Sequence, residues 1–211
     1  MSTSVPDNDA LIGVYDRDAR RLRTEWSAAE DSAVHSDTFI KFHAPYLPPA
    51  GGHALDIGAG YGAHVSGLES LGLTVVAVEP AAGMRAEAET HYPHSRATWL
   101  DDRLPDLAKV HALGRQFDFM LMNSVWMHLP PDLRDRGMTS LAALLAPGGN
   151  FSVLLRHGPA PADRPMHESD AAPFLTLAKA RGLSLIHREG NGDEMGRDGV
   201  SFTRLILTKS G

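Results

Sequence analysis

The chain has 211 residues, 43% of them hydrophobic, which suffices for one α/β core with an appendage but not for two full domains. A formal net charge of −6 and a pI of about 6.0 create no positive field to gather phosphate backbones or anionic lipid, so neither nucleic acid nor a membrane is an expected partner. Cysteine is absent, which removes disulfides, thiolate nucleophiles and cysteine-held metal.

Residues 1 to 8 are polar and expected to fray, and the start lacks the basic and apolar regions of a signal peptide. No later apolar run reaches bilayer length, so a cytoplasmic protein is expected. DALIGVYDRDARRLRTEWSAAE and DSAVHSDTFIKFHAPYL then read as helices that end at PPAGG. They precede the core, and residues 1–50 are assigned as an N-terminal helical lid over a core of residues 51–211.

From Ala54 onward, the apolar runs ALDI, TVVAVE, ATWL, FDFMLMN and NFSVLL read as strands. Between them GAHVSGLESLG, AAGMRAEAETHY, LPDLAKVHALG and PDLRDRGMTSLAALLAPGG read as helices. That rhythm implies right-handed βαβ crossovers and a mostly parallel sheet covered on both faces. A further helix falls near residues 168–181, after which LSLIHRE and SFTRLILTK flank a Gly-rich turn as a hairpin would. An antiparallel strand is therefore expected to close one edge.

The stretch ALDIGAGYGAH, residues 54–64, carries the first chemistry. Gly58, Gly60 and Ala63 satisfy the dinucleotide pattern G-x-G-x-x-G/A, while Asp56-x-Gly58-x-Gly60-x-Gly62 fits a loop that holds S-adenosylmethionine (AdoMet). In both cases the glycines let the backbone turn and approach a ligand, and the next helix offers its N-terminal N–H groups. Asp56 separates the two. A carboxylate there would repel a pyrophosphate but complement an ammonium and a sulfonium. Glu79 closes the second strand, where an acid can accept both ribose hydroxyls of either ligand.

On these residues the chain resembles class I, Rossmann-like AdoMet-dependent methyltransferases that act on small molecules. LDIGAGYG looks like the first motif of that family, VVAVEP the second, and WLDDRLP the place of an acid that contacts adenine. FDFMLMNSVWMHL and LLAPGGNFSVLL resemble the fourth-strand motif and the turn before strand five. The resemblance implies a seven-stranded, mostly parallel sheet with an antiparallel last strand, and AdoMet as cofactor. It also implies that Asp56, Gly58 and Gly60 lie along the methionine part and Glu79 on the ribose. Asp101 or Asp102 falls near the adenine, with Asp101 preferred because it follows the strand directly; Asp102 equally suits a helix cap. Asn123 would face the sulfonium side, and Tyr15 stands where related enzymes lay an aromatic over the cofactor.

With the cofactor over strands one to three, the acceptor belongs over strands four and five, at the switch point of the sheet. Trp126, His128, Arg156 and His157 follow those strands, and Arg164 lies in the Pro-rich loop beyond. An aromatic plate, imidazoles and a guanidinium suit a small planar or anionic acceptor. His157 is the first candidate base for an O- or N-nucleophile and His128 the second. Packing is the competing account of Trp126 and His128. NSVW departs from the Asn/Asp-Pro-Pro-aromatic motif of nucleobase and glutamine methylation, and Asn123 replaces the acid of metal-dependent enzymes, so no catalytic metal is expected. The alternatives are a non-catalytic AdoMet-binding module and, disfavoured by Asp56, an NAD(P)-dependent oxidoreductase.

Overall fold

In the computed structural model, which describes residues 8–29, 32–193 and 195–211, the apolar runs become one seven-stranded sheet. Residues 1–7, expected to fray, lie outside the described residues. The strands are β1 (His53–Ile57), β2 (Thr74–Val78), β3 (Thr98–Leu100), β4 (Phe117–Asn123), β5 (Leu145–His157), β6 (Leu183–Gly192) and β7 (Ser201–Lys209). Their order is β3-β2-β1-β4-β5-β7-β6. Strands β1 to β5 pair in parallel; β7 runs antiparallel to both β5 and β6, so β6 shares the direction of the other five.

The helices are α1 (Asn8–Ala29), α2 (Ser32–His43), α3 (Ala63–Ser70), α4 (Ala82–His91), α5 (Ala108–His111), α6 (Arg134–Leu144) and α7 (Ala171–Lys179). Successive strand residues point to opposite faces, which divides the core in two. Leu55, Ile57, Met120 and Val153 pack with α6 and α7 on one face. Ala54, Ala77, Phe119 and Leu121 pack with Phe39 of α2 and with α3 on the other. Leu22 of α1 joins Met84 of α4 in a third cluster, which ties the N-terminal helix to the core.

Three expectations require correction. The antiparallel strand does not close an edge: β7 inserts between β5 and β6, and β6 is the edge. Burial explains the order, because Leu205, Ile206 and Leu207 of β7 are fully buried whereas Leu185 and Ile186 of β6 are 41% and 49% exposed. The helix expected over 104–114 shrinks to the single turn of α5. The helix expected over 131–149 is a 3₁₀ turn followed by α6, and LAPGG opens β5 with a register shift opposite Phe117 and Phe119.

Candidate functional site

The loop after β1 turns through three glycines with positive φ, at Gly58, Gly60 and Gly62. A side chain at Gly58 would place its Cβ 2.4 Å from Val125 Cγ2. At Gly60 the nearest atom to such a Cβ would be Trp26 Cζ3 at 3.9 Å, so the backbone there borders open space. The loop is fastened to β2: the N–H groups of Gly58 and Ala59 donate to the Val78 carbonyl at 2.8 and 2.9 Å. Gly60 and Ala81 N–H each donate to one oxygen of Glu79, both at 2.9 Å. These bonds orient the Glu79 carboxylate and leave lone pairs for two more donors. Burial pushes its pKa up.

Asp56 ends up on the α2–α3 face of β1, 2% exposed, and its Oδ2 has no hydrogen-bond partner. Burial, and then the neighbouring charge of Glu79, push its pKa up to about 7. An orphaned buried carboxylate oxygen beside a second carboxylate is poorly matched to an anion and well matched to a cation. The loop and Glu79, which border a cavity beyond the strand ends, therefore fit a ligand with a diol, while Asp56 lies behind them and contributes its charge from beneath the loop.

A cavity of about 450 Å³ opens beyond the strand ends, within the range of small-ligand sites. Gly58, Gly60, Glu79, Tyr15, His128, Arg156 and Arg164 all border it. Trp26 from α1 and Phe42 from α2 also border it. Tyr15 Oη lies 3.0 Å from His128 Nε2, and the Arg164 guanidinium carbon sits 6.0 Å from the centre of the Tyr15 ring. Burial, followed by the charge of Arg164, holds His128 down to about 4, so its ring is neutral at physiological pH. Asn123 borders the cavity with its Nδ2 3.3 Å from His64 Nε2 and its Oδ1 unpartnered.

The two adjacent acids separate. Asp102 borders the cavity, but its Oδ2 accepts the N–H groups of Lys109 and Val110 at 2.7 and 3.0 Å, capping α5 from a distance. The side chain of Asp101 is 59% exposed, and its carboxylate lies 3.8 Å from Arg85.

His157, Trp126, Asp56 and Asp101 do not border the cavity. Strand alternation sends Arg156 and Leu154 to the cavity side of β5 and His157 to the opposite face, where its Nε2 meets Thr203 Oγ1 at 2.8 Å. Trp126 is 1% exposed and packs edge-on against Phe174 of α7 at 5.0 Å, as an ordinary core residue. Sequence reasoning missed His64 and His43. His64 had a signal, since it sits in the first turn of the helix that opens from the glycine loop. His43 had none: it borders the cavity fully buried, its Nδ1 donating to Phe39 O at 2.8 Å and its Nε2 2.9 Å from Ser152 Oγ. Among the described residues, no group of three or more histidines or acids could hold a metal ion.

A sheet of this order with only β7 reversed, and an acid-flanked glycine loop at the end of β1, define a class I, Rossmann-like methyltransferase architecture. Residues 55–153 match the family model described as "Methyltransferase domain". Over these residues the chain is similar to that family's methyltransferase domain. Among curated proteins none matches it by sequence.

Solved structures share the fold. The 1,6-didemethyltoxoflavin-N1-methyltransferase of Burkholderia thailandensis, with bound 1,6-didemethyltoxoflavin and S-adenosylhomocysteine, superposes with a TM-score of 0.74 at 16% identity, covering 100% of this chain and 94% of that one. Magnesium protoporphyrin IX methyltransferase from Synechocystis, with bound AdoMet, gives 0.73 at 15% identity and covers both chains fully. A TehB-like AdoMet-dependent methyltransferase from Corynebacterium glutamicum gives 0.63 at 18% identity, covering 91% and 98%. No described helix is long and apolar enough to cross a membrane.

Proposed function

We propose that this chain transfers a methyl group from AdoMet to an oxygen or nitrogen of a small-molecule acceptor in the cytoplasm. One observation carries the proposal: a single cavity is bordered both by the glycine loop with Glu79 and by Tyr15, His128 and Arg156, so donor and acceptor can meet in one space. The bound acceptor named for the Burkholderia structure is a small molecule, which supports this choice of substrate class.

Bound AdoMet supplies a methyl carbon made electrophilic by its sulfonium. The protein does the rest by holding and desolvating. Asp56, Gly58 and Gly60 hold the methionine part, Glu79 receives the ribose hydroxyls, and Asn123 with its free Oδ1 faces the sulfonium side. With Asp102 committed to α5, Asp101 is the acid proposed for the adenine. Tyr15, linked to His128, spans from the cofactor to the acceptor, and Arg156 and Arg164 bind the acceptor. His128 is the remaining candidate base, and its low pKa favours acceptors that need little help to lose a proton. The N-terminal helices α1 and α2 act as a lid that closes the space.

Incubation with methyl-labelled AdoMet and a panel of small hydroxyl, carboxyl and amine acceptors tests the proposal. Label should pass to at least one acceptor, and Glu79→Ala should strongly reduce the transfer at subsaturating AdoMet. Firm AdoMet binding with no transfer to any class in the panel would favour a non-catalytic binding module instead.

A further inference from the structure

The acceptor end of the cavity carries more positive charge than the described residues neutralise. Of the five arginines that border the cavity, Arg103 pairs with Asp9, Arg197 with Asp193 at 2.7 Å, and Arg204 with Glu189 at 3.7 Å. Arg164 has Asp163 at 3.5 Å, a carboxylate it shares with Arg21. Arg156 is different. It is 6% exposed, forms no ion pair with a described carboxylate, since Asp193, whose charge it feels, is held by Arg197, and among the described residues it donates only to the carbonyls of Gly158 at 3.3 Å and Pro159 at 2.7 Å. Those two bonds leave most of the guanidinium's N–H donors unused. Folded proteins keep charges this deeply buried by pairing them, and carbonyl dipoles offset only part of the desolvation cost.

The surroundings say what kind of anion fits. Tyr15 and His128 are neutral and hydrogen-bonded to each other, so they offer polar contact without charge. Phe202, the strand partner of Arg156 on β7, and Leu154 border the same cavity and are apolar. A planar guanidinium grips a carboxylate through two parallel N–H bonds, and the apolar flank suits a hydrophobic body more than a fully hydrated ion.

The geometry points to an anion subsite in which Arg156, backed by Arg164, binds the carboxylate of an acceptor whose apolar body lies against Phe202 and Leu154. That the ligand is a methyl acceptor rests on the proposed function above; that the subsite binds an apolar carboxylate does not.

Benzoate, its neutral isostere benzamide and inorganic phosphate serve as calorimetric probes, with and without saturating S-adenosylhomocysteine (SAH). The unaltered protein should bind benzoate at least about tenfold more tightly than benzamide, with phosphate weaker than benzoate. Arg156→Gln should erase the preference for benzoate, and Arg156→Lys, which keeps the charge but loses the fork, should restore part of it. Equal affinity for benzoate and benzamide in the unaltered protein would overturn the subsite without relying on any variant. So would a preference that survives Arg156→Gln, and tighter binding of phosphate would overturn the choice of carboxylate. Failure of SAH to bind would reject the methyl-transfer function, while the benzoate–benzamide comparison without SAH still decides the subsite.

Discussion

Asp56 shows how a residue proposed to favour a cationic ligand is held at a cost to the fold. Its carboxyl is 2% exposed and carries an oxygen without a hydrogen bond, and burial raises its pKa from 3.8 to about 7. A folded-state pKa above the unfolded one means the folded protein holds the proton more tightly, so this contribution is full below about pH 4 and is lost as pH rises through 7. Asp56→Asn should therefore raise the melting temperature of the ligand-free protein by several degrees at pH 8 and barely change it at pH 4, while weakening SAH binding. A variant equally destabilised at both pH values would contradict the assignment. Glu79 is the complementary case, since its oxygens are fixed by Gly60 and Ala81 N–H. Glu79→Ala should cost SAH about 1.5–3 kcal/mol in calorimetry. Unchanged affinity in a folded variant would remove Glu79 from the ribose.

At the scale of elements, α1 reaches the site by lying directly on α4. Gly83 in the first turn of α4 donates its N–H to Asp16 Oδ1 at 2.5 Å, and a Cβ there would fall 2.2 Å from the Asp16 carbonyl oxygen. Arg23 adds an ion pair to Glu87 at 2.9 Å. Alanine suits a helix better than glycine, so Gly83→Ala should leave α4 intact and push α1 away. The expected result is faster hydrogen exchange throughout α1 and roughly tenfold weaker SAH binding, because Tyr15 and Trp26 leave the cavity. Unaltered exchange in α1 would show that the contact yields locally. Strand β5 teaches the same lesson from the sheet. Arg156 and His157 are neighbours in the chain, yet adjacency in a strand places them on opposite faces. The alternation was legible in the sequence; which face would hold the cavity was not, because the packing of α2 and α1 decides that.

Across the whole molecule, the parallel strands were legible because strands buried on both faces write continuous apolar runs, as FDFMLMN does for β4. The place of β7 was not, because a hairpin pattern fixes that two strands pair but not which one enters the sheet. The placing of the glycine loop and Glu79 at the cavity was readable for a related reason: both lie at strand ends that the chain order fixes. The rest of the cavity gathers α1, the turn after β4, β5 and the loop carrying Arg164, and only the folded chain brings these together. If the N-terminal helices act as a lid, hydrogen exchange in α1 and α2 should slow on SAH binding; protection confined to residues 58–62 would make them scaffold. The most direct test of the account is calorimetric titration of the purified chain with SAH and, separately, with NAD. SAH should bind with roughly micromolar affinity and NAD should give no heat. Tight binding of NAD with none of SAH would contradict the assignment of the glycine loop, and with it the methyl-transfer function.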